Sequence, residues 1–167
     1  MRAAFPLIAQ AFRKAALPPF ISVSLRETDP FPFACLMHHA VIISEDCPPF
    51  PVDVTFQYSA ERPFGVVMTL KACGTEAEWT LSREQLIRGL RRPAGWGDVA
   101  VRPVARGAGD DVILIRLGPA SHHVEVEVGR SVLDAWLEET LRLIPRGSEA
   151  QYLMLDQLID SILGADG

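Results

Sequence analysis

The stretch VDVTFQYSAERPFGVVMTL, residues 52–70, decides the fold class of this chain. Apolar and polar side chains alternate over residues 52–58, and large apolar side chains return at every second position over residues 64–70. A period of two is typical of a strand that buries one face. The residues between the two runs include Pro63 and are otherwise small or polar, as in a turn. The stretch therefore predicts two neighbouring antiparallel strands.

Similar runs on both sides of this pair extend it to a sheet of about seven strands. The run VILI at 112–115 is apolar at every position, which predicts a central strand covered on both faces. In the last run, Glu125 and Glu127 give one polar face instead. The predicted strands cover residues 34–43, 52–58, 64–70, 77–81, 99–104, 112–117 and 124–128.

Three helices are predicted, two of them directly after a group of strands. Ser82 and Gln85 have the spacing of a capping box and start the first helix. This helix ends near Arg91, because Pro93 cannot continue it. A β-meander followed by a helix thus occurs twice, as in a duplicated unit, and a third helix closes the chain. The predicted fold class is therefore α+β. The other two helices are predicted from Ser131 and Asp134 to Pro145, and from Ser148 to about Gly164.

Residues 1–33 are expected to form a flexible N-terminal extension, and residues 34–167 a single domain. A chain of 167 residues with 49% hydrophobic content is long enough for one core. The first seventeen residues contain Arg2, Arg13 and Lys14 and no acidic residue. It is either a weakly docked extension or a basic amphipathic helix that touches a membrane or a partner.

The composition argues against several classes of function. A formal net charge of −5 disfavours general affinity for nucleic acid or anionic membranes. Cys35, Cys47 and Cys73 are widely spaced and form no C-x-x-C pair, so neither a disulfide framework nor a zinc site is predicted. No apolar run reaches the roughly 18 residues of a membrane span. We therefore expect a cytoplasmic protein without a metal or cofactor.

The histidines and Cys73 are weak candidates for metal binding or catalysis. His38 and His39 are adjacent, as are His122 and His123, and neighbours on a strand point to opposite faces, so neither pair can hold one ion alone. His122 is expected to point inward, and Cys73 to be a half-buried thiol in a turn. No signature such as G-x-S-x-G accompanies them. We therefore expect no enzymatic activity.

A cluster of arginines around one tryptophan stands out against the acidic background. The partner-binding candidates are Arg88, Arg91, Arg92, Trp96 and Arg102. Such a surface can bind an acidic protein partner through guanidinium groups and ring burial, or it can hold phosphates and stack bases. Alternatively, Trp96 caps the edge of the core and the arginines are a solvated rim. The sequence leaves all three interpretations open.

The predicted third helix has an apolar stripe that needs cover. The oligomer-interface candidates are Tyr152, Leu155, Ile159 and Ile162, which follow a three-four spacing. The cover comes either from the protein's own sheet or from a neighbouring subunit. We expect a homo-oligomer.

Residues 79–103 resemble the signature of the SsgA-like sporulation and cell-division proteins of actinomycetes. Cys35 and RPFGV at 62–66 upstream, and LDQ at 155–157 downstream, are similar to further segments of that family, so that the resemblance spans residues 34–164. The residues that carry the central resemblance are Trp79, Leu86, Gly89, Leu90, Arg92, Pro93, Gly95, Gly97, Asp98, Val99 and Pro103.

The resemblance implies a small non-enzymatic protein that acts in sporulation-specific septation at the cell septum. Its partner would be FtsZ, the tubulin-like division GTPase that it would position or stabilise, or another septal protein of the family. The resemblance also implies a fold similar to the whirly single-stranded nucleic-acid-binding fold, assembled as a trimer. The alternative function is single-stranded nucleic-acid binding, which the net charge of −5 and the presence of only two tyrosines disfavour.

Overall fold

The computed structural model describes residues 20–24, 33–106 and 111–153. These residues form one nine-stranded sheet, two α-helices and a short 3-10 helix at Glu149–Tyr152. The α+β class is confirmed, with more strands than the sequence predicted. The strands are β1 (Phe20–Ser24), β2 (Phe33–Ile43), β3 (Phe50–Ser59), β4 (Gly65–Ala72), β5 (Thr75–Ser82), β6 (Ala94–Trp96), β7 (Val99–Val104), β8 (Val112–Leu117) and β9 (Val124–Gly129), and the helices are α1 (Arg83–Gly89) and α2 (Arg130–Leu143).

The sheet is antiparallel throughout and follows the order β5-β4-β3-β2-β9-β8-β7-β6, with β1 beside β2. One edge of β2 pairs along its length with β3. The other edge pairs with β1 through residues 33–37 and with β9 through residues 41–43. The strands at the two ends of this order are therefore β5 and β6.

The stretch that decides the fold class forms the hairpin β3–β4, as predicted. Phe56 pairs with Met68 and Val54 with Leu70, and all four side chains are buried. The turn is held by the Tyr58 hydroxyl, which donates a hydrogen bond of 3.0 Å to the Pro63 carbonyl oxygen. The alternation in the sequence thus places one apolar face against the core.

Helix α2 covers that apolar face. Its residues Leu133, Trp136 and Leu137 are buried, and the Trp136 ring centroid lies 5.6 Å from that of Phe56. Full burial of side chains of this size stabilises a fold by about 1.5–3 kcal/mol each. Strand β8 is buried over residues 112–115 on both faces, which confirms the prediction from its unbroken apolar run.

Helix α1 follows β5 and packs against β7. The Ser82 side chain caps it by accepting a hydrogen bond of 3.3 Å from the backbone N–H of Gln85. The Gln85 side chain donates to the Val99 carbonyl oxygen at 2.8 Å, so only half of the predicted capping box forms. Gly89 permits the close packing, because a Cβ atom there would lie 2.2 Å from Cγ1 of Val101.

Strands β1 and β6 were not predicted from the sequence. Strand β1 lies within the segment expected to be an extension, and its pairing with β2 is a long-range contact that no local pattern announces. Strand β6 has three residues, one of them Gly95, and is therefore too short to show an alternation.

Two helix predictions need correction. Helix α2 begins at Arg130 with Gly129 as its N-cap and no side-chain cap, because the Arg130 N–H donates to the Asp111 carbonyl oxygen and Ser131 is exposed instead. The predicted helix is therefore present and begins one residue before Ser131, which does not cap it. Of the third predicted helix, the structure describes the 3-10 helix at Glu149–Tyr152, and the remainder lies outside the described residues.

The predictions for His122 and Cys73 were also wrong. His122 lies in the turn before β9, so strand parity does not apply to it, and its side chain is 85% exposed. Cys73 is exposed at the tip of the β4–β5 hairpin, where its φ is 50° and that of Gly74 is 79°. Positive φ at both positions is the type I′ turn that fits the twist of a hairpin.

Candidate partner-binding groove

Both terminal strands of the sheet open onto one groove, which we call the edge groove. Because the sheet curls, the end of β5 and the strand β6 border the same space of about 600 Å³, and α1 forms a further part of its wall. The edge groove thus brings together two of the predicted partner-binding residues, Arg88 and Trp96. Its lining consists of Thr80, Ser82, Glu84, Gln85, Arg88, Pro93, Ala94, Gly95, Trp96 and Val99.

Trp96 ends β6 and projects its ring into solvent. It pairs with Val99 across a two-residue turn in which Gly97 has a φ of 59°. Paired residues share a face of the sheet, and Val99 shares its face with Val101, which meets α1. Trp96 is nevertheless 88% exposed, so it does not cap the core. An exposed ring of this size is typical of a binding surface.

The arginines Arg88, Arg91 and Arg92 form an exposed basic end of α1. The backbone N–H groups of Arg91 and Arg92 both donate to the Arg88 carbonyl oxygen, at 3.1 Å, as the helix ends. Among the described residues, no ion pair involves any of these three guanidinium groups. Of the three, Arg88 lines the edge groove.

Arg102, the fifth candidate, is separated from this cluster. It follows Val101 on β7 and therefore lies on the opposite face of the sheet from Val99 and Trp96. There its Nη2 contacts Glu125 at 2.9 Å, and Arg106 pairs with Glu127 in the same way. The cluster expected from the sequence is thus divided between two faces because strand neighbours alternate.

The acidic residue of the groove lining does not neutralise Arg88. Glu84 pairs instead with Arg146, which comes from the segment after α2. Together with Arg91 and Arg92 beside it, Arg88 gives this part of an acidic protein a local positive charge. Such a surface fits an acidic partner.

A buried arginine that the sequence analysis missed fixes α1 to the end of α2. Arg83 is 1% exposed, and its Nη1 donates to the carbonyl oxygens of Thr140 and Ile144 at 3.0 and 2.8 Å. Its Nη2 donates to Glu149 at 2.5 Å, and its Cζ lies 4.6 Å from the ring centroid of Tyr58. No local pattern indicates this role, since position 83 lies in the polar first turn of a predicted helix.

This buried cluster shifts two pKa values. Burial raises the pKa of Tyr58 to about 12, although the Arg83 charge acts in the opposite direction. For Glu149, burial opposes ionisation, but hydrogen bonds from its own N–H, from Arg83 and from the N–H of Gly147 outweigh it and lower the pKa. The cluster is therefore an ionised structural contact.

Two further grooves lie on the sheet away from the edge groove. A polar groove of about 590 Å³ contains His39, whose Nδ1 lies 2.6 Å from Asp53. An apolar groove of about 480 Å³ has the exposed residues Cys47 and Cys73 at its margin. In the described part of the chain, no three potential metal ligands come together and neither helix has the length and apolar character to cross a membrane.

The oligomer-interface candidates are only partly within the described residues. Tyr152 is 40% exposed at the end of the 3-10 helix, and Leu153 next to it is similarly exposed. The other three candidates, Leu155, Ile159 and Ile162, lie outside the described residues.

Comparison with known proteins identifies the family. A family model described as "Streptomyces sporulation and cell division protein, SsgA" matches residues 52–149, which is more than half of the chain. The chain belongs to the SsgA family. The matched range contains β5, α1, β6 and β7, and so the whole edge groove of this SsgA-family protein, and it contains all five partner-binding candidates.

Curated relatives carry the name sporulation-specific cell division protein SsgB. The relative from Salinispora tropica is 36% identical over 125 residues, which cover 73% of this chain and 87% of the relative. The relative from Streptomyces coelicolor is 31% identical over 131 residues, or 78% of this chain and 94% of the relative. The SsgA-family protein is therefore similar to SsgB over most of both chains.

Solved structures have the same fold. One is a structure described under the words "Mutations in SsgB correlate to longitudinal cell division during sporulation of Streptomyces coelicolor". It has a TM-score of 0.68 and 26% identity, and the match covers 75% of this chain and 99% of the other. An SsgA-like sporulation-specific cell division protein from Thermobifida fusca has a TM-score of 0.69 and 24% identity, covering 77% and 94%. The second likeness concerns the fold alone.

Proposed function

We propose that this SsgA-family protein is a non-enzymatic accessory factor of sporulation septation that binds a septal protein through the edge groove. The observation that carries this proposal is the exposed Trp96 ring beside Arg88, whose charge no described acidic side chain pairs with. Aromatic rings and arginines are the side chains that most often dominate protein interfaces. The names of the relatives supply the process in which the partner acts.

The proposed partner is FtsZ, which the protein would position or stabilise on the cytoplasmic side of the septum, or another septal protein of the same family. An acidic surface on that partner would meet the basic end of α1, where complementary charge sets orientation and association rate. The exposed Trp96 ring would supply the buried apolar contact.

Deleting the gene in the bacterium that carries it, together with imaging of a fluorescent fusion, tests the proposed role. We expect few or misplaced sporulation septa in the deletion strain, and fusion fluorescence at the septa of sporulating cells. Normal sporulation septa in the deletion strain, or a fusion that is spread evenly through sporulating cells, would contradict the role.

We also propose that the protein assembles as a homo-oligomer, with a trimer as the expected state. Tyr152 and Leu153 support this, because both expose apolar surface where the chain leads into the predicted stripe. Changing Ile159 to Asp would place a charge on that stripe, which costs several kcal/mol if the position is buried and unpaired. Light scattering should show the wild type as an oligomer and the variant as a smaller species. An unchanged mass and stability would remove the stripe from the interface.

Single-stranded nucleic-acid binding is the second candidate, because the exposed Trp96 could stack a base beside Arg88. The acidic net charge and the single exposed ring of the groove lining weigh against it. Titration with a single-stranded DNA oligomer at increasing salt distinguishes the two. Tight binding that weakens steeply with salt would favour this candidate.

A further inference from the structure

The hydrogen-bonding pattern of β5 leaves the backbone groups of its even-numbered residues outside the ladder with β4, and Thr80 is one of these residues in the edge groove. The two-residue turn pairs Ala72 with Thr75, and the Arg83 N–H donates to the Phe64 carbonyl oxygen at 3.0 Å. Both contacts place the odd-numbered residues of β5 in the ladder with β4. The N–H and C=O groups of Thr80, an even-numbered residue, therefore point away from β4, on the side of β5 where none of the described strands pairs.

The opposite wall of the groove has the same property. The two-residue turn makes Trp96 and Val99 a hydrogen-bonded pair of the ladder between β6 and β7. The backbone groups of the preceding residue, Gly95, therefore point away from β7. Unpaired edges are templates for another strand. The edge groove therefore has unpaired backbone groups on two sides, the Trp96 ring and the Arg88 charge.

The rest of the β5 edge is protected by charge. Glu76 and Glu78 are exposed on β5, line the polar groove and lie outside the edge groove. Charged side chains on an edge discourage pairing with another chain. An added strand is therefore directed to the part of β5 near Thr80 and Ser82, which the edge groove contains.

We propose that an extended acidic segment of a partner protein binds in the edge groove by adding a strand to β5 near Thr80. Its backbone pairs with the outward N–H and C=O groups of Thr80 and with the N–H of Ser82, a carboxylate meets Arg88, and an apolar side chain packs on Trp96. Strand addition of this kind takes affinity from main-chain hydrogen bonds and specificity from alternate side chains. This mode of binding rests on the proposed function, since the partner is the septal protein.

The test uses the full-length chain and a fluorescent short peptide of alternating glutamate and valine. We expect saturable binding, and roughly tenfold weaker binding when alternate amides of the peptide are N-methylated on one edge or when lysine replaces glutamate. The variant Thr80→Pro removes only an outward N–H, which an edge strand tolerates, and should also weaken binding by roughly tenfold.

Two matched variants serve as controls. Glu78→Pro makes the same backbone change on the same side of β5 but outside the edge groove, and Thr80→Val keeps the N–H while it changes the side chain. Neither variant should bind the peptide more weakly than the wild type. Thermal unfolding of each variant verifies that the fold is intact, and if Thr80→Pro unfolds, the N-methylated peptide provides the decisive comparison.

Several results would overturn strand addition. These are absence of saturable binding, equal binding of methylated and unmethylated peptide, or tighter binding of single-stranded DNA than of the peptide. A changed oligomeric state of Thr80→Pro would assign the groove to a second copy and would also overturn it. None of these results touches the deletion phenotype, so failure of strand addition and failure of the septation role are distinguishable.

Discussion

At the scale of single residues, Arg83 connects the start of α1, the end of α2 and the segment that follows it. It donates to the carbonyl oxygens of Thr140 and Ile144 at the end of α2. The Thr140 oxygen also accepts the Ile144 N–H, whereas the oxygen of Ile144, the C-cap, has no partner inside the helix. It also pairs with Glu149 while its own side chain is fully buried. A buried ion pair contributes little net stability, but removal of one partner lowers stability strongly because the other charge is left uncompensated.

We therefore predict that Arg83→Ala lowers the free energy of unfolding by about 3–5 kcal/mol, because it leaves Glu149 without its charged partner and the Ile144 carbonyl oxygen without this donor. Urea unfolding measures the loss. Arg142→Ala, which breaks an exposed pair with Glu139 on α2, is the control and should change stability by less than about 1 kcal/mol. Equal effects of the two substitutions would show that Arg83 is an ordinary helix residue.

Glu149 gives the protein a defined dependence on acid. Its pKa is lowered in the folded state, so the unfolded chain binds the proton at higher pH than the folded one. The stability that this carboxylate contributes is present above its unfolded pKa, ~4.3, and is lost as pH falls through the folded pKa. We expect Glu149→Gln to reduce the slope of unfolding free energy against pH in that acidic range. An identical slope in the variant and the wild type would rule out the contribution.

Several residues show which features the sequence could predict at this scale. Arg88 and Trp96 line one groove, as expected of a helix end and the next loop, which are close along the chain. Arg102 lies on the other face of the sheet, because sequence distance does not reveal which face of β7 a residue occupies. The buried contact between Arg83 and Glu149 could not be predicted, since it depends on the packing of α1 against the end of α2.

At the scale of elements, alternation and capping residues predicted what is local. The hairpin β3–β4, the apolar strand β8 and the Ser82 cap all follow from short patterns. Strand β1 and the start of α2 depend on long-range hydrogen bonds, such as that from Arg130 to Asp111, and were therefore missed or misplaced.

The β4–β5 hairpin yields a prediction about its turn. Cys73 occupies a position with a φ of 50°, which a side chain with a Cβ atom adopts at a cost, and asparagine adopts more readily than most residues. We predict that Cys73→Asn raises the free energy of unfolding by several tenths of a kcal/mol, whereas the β-branched Cys73→Val lowers it by about 1 kcal/mol. Thermal unfolding measures both. Stabilisation by valine would contradict the type I′ assignment.

At the scale of the whole molecule, the central feature is that the two ends of one curled sheet meet at a groove. β5 and β6 are far apart in the sheet order, yet both line the edge groove beside Arg88. Closure of this kind is set by the accumulated twist and curl of nine strands, which no sequence pattern encodes locally. The family and the α+β class were predictable from the sequence, whereas the groove required the fold.

Septal localisation in living cells tests the claim that the edge groove recruits this SsgA-family protein to the sporulation septum. Fluorescent fusions of Arg88→Glu and Trp96→Ala would be compared with Arg102→Ala, which alters an exposed arginine on the opposite face of the sheet. All three should accumulate to wild-type levels. We predict that the Arg88 and Trp96 variants lose septal fluorescence and that the Arg102 variant keeps it. Wild-type septal fluorescence in both groove variants would contradict the claim.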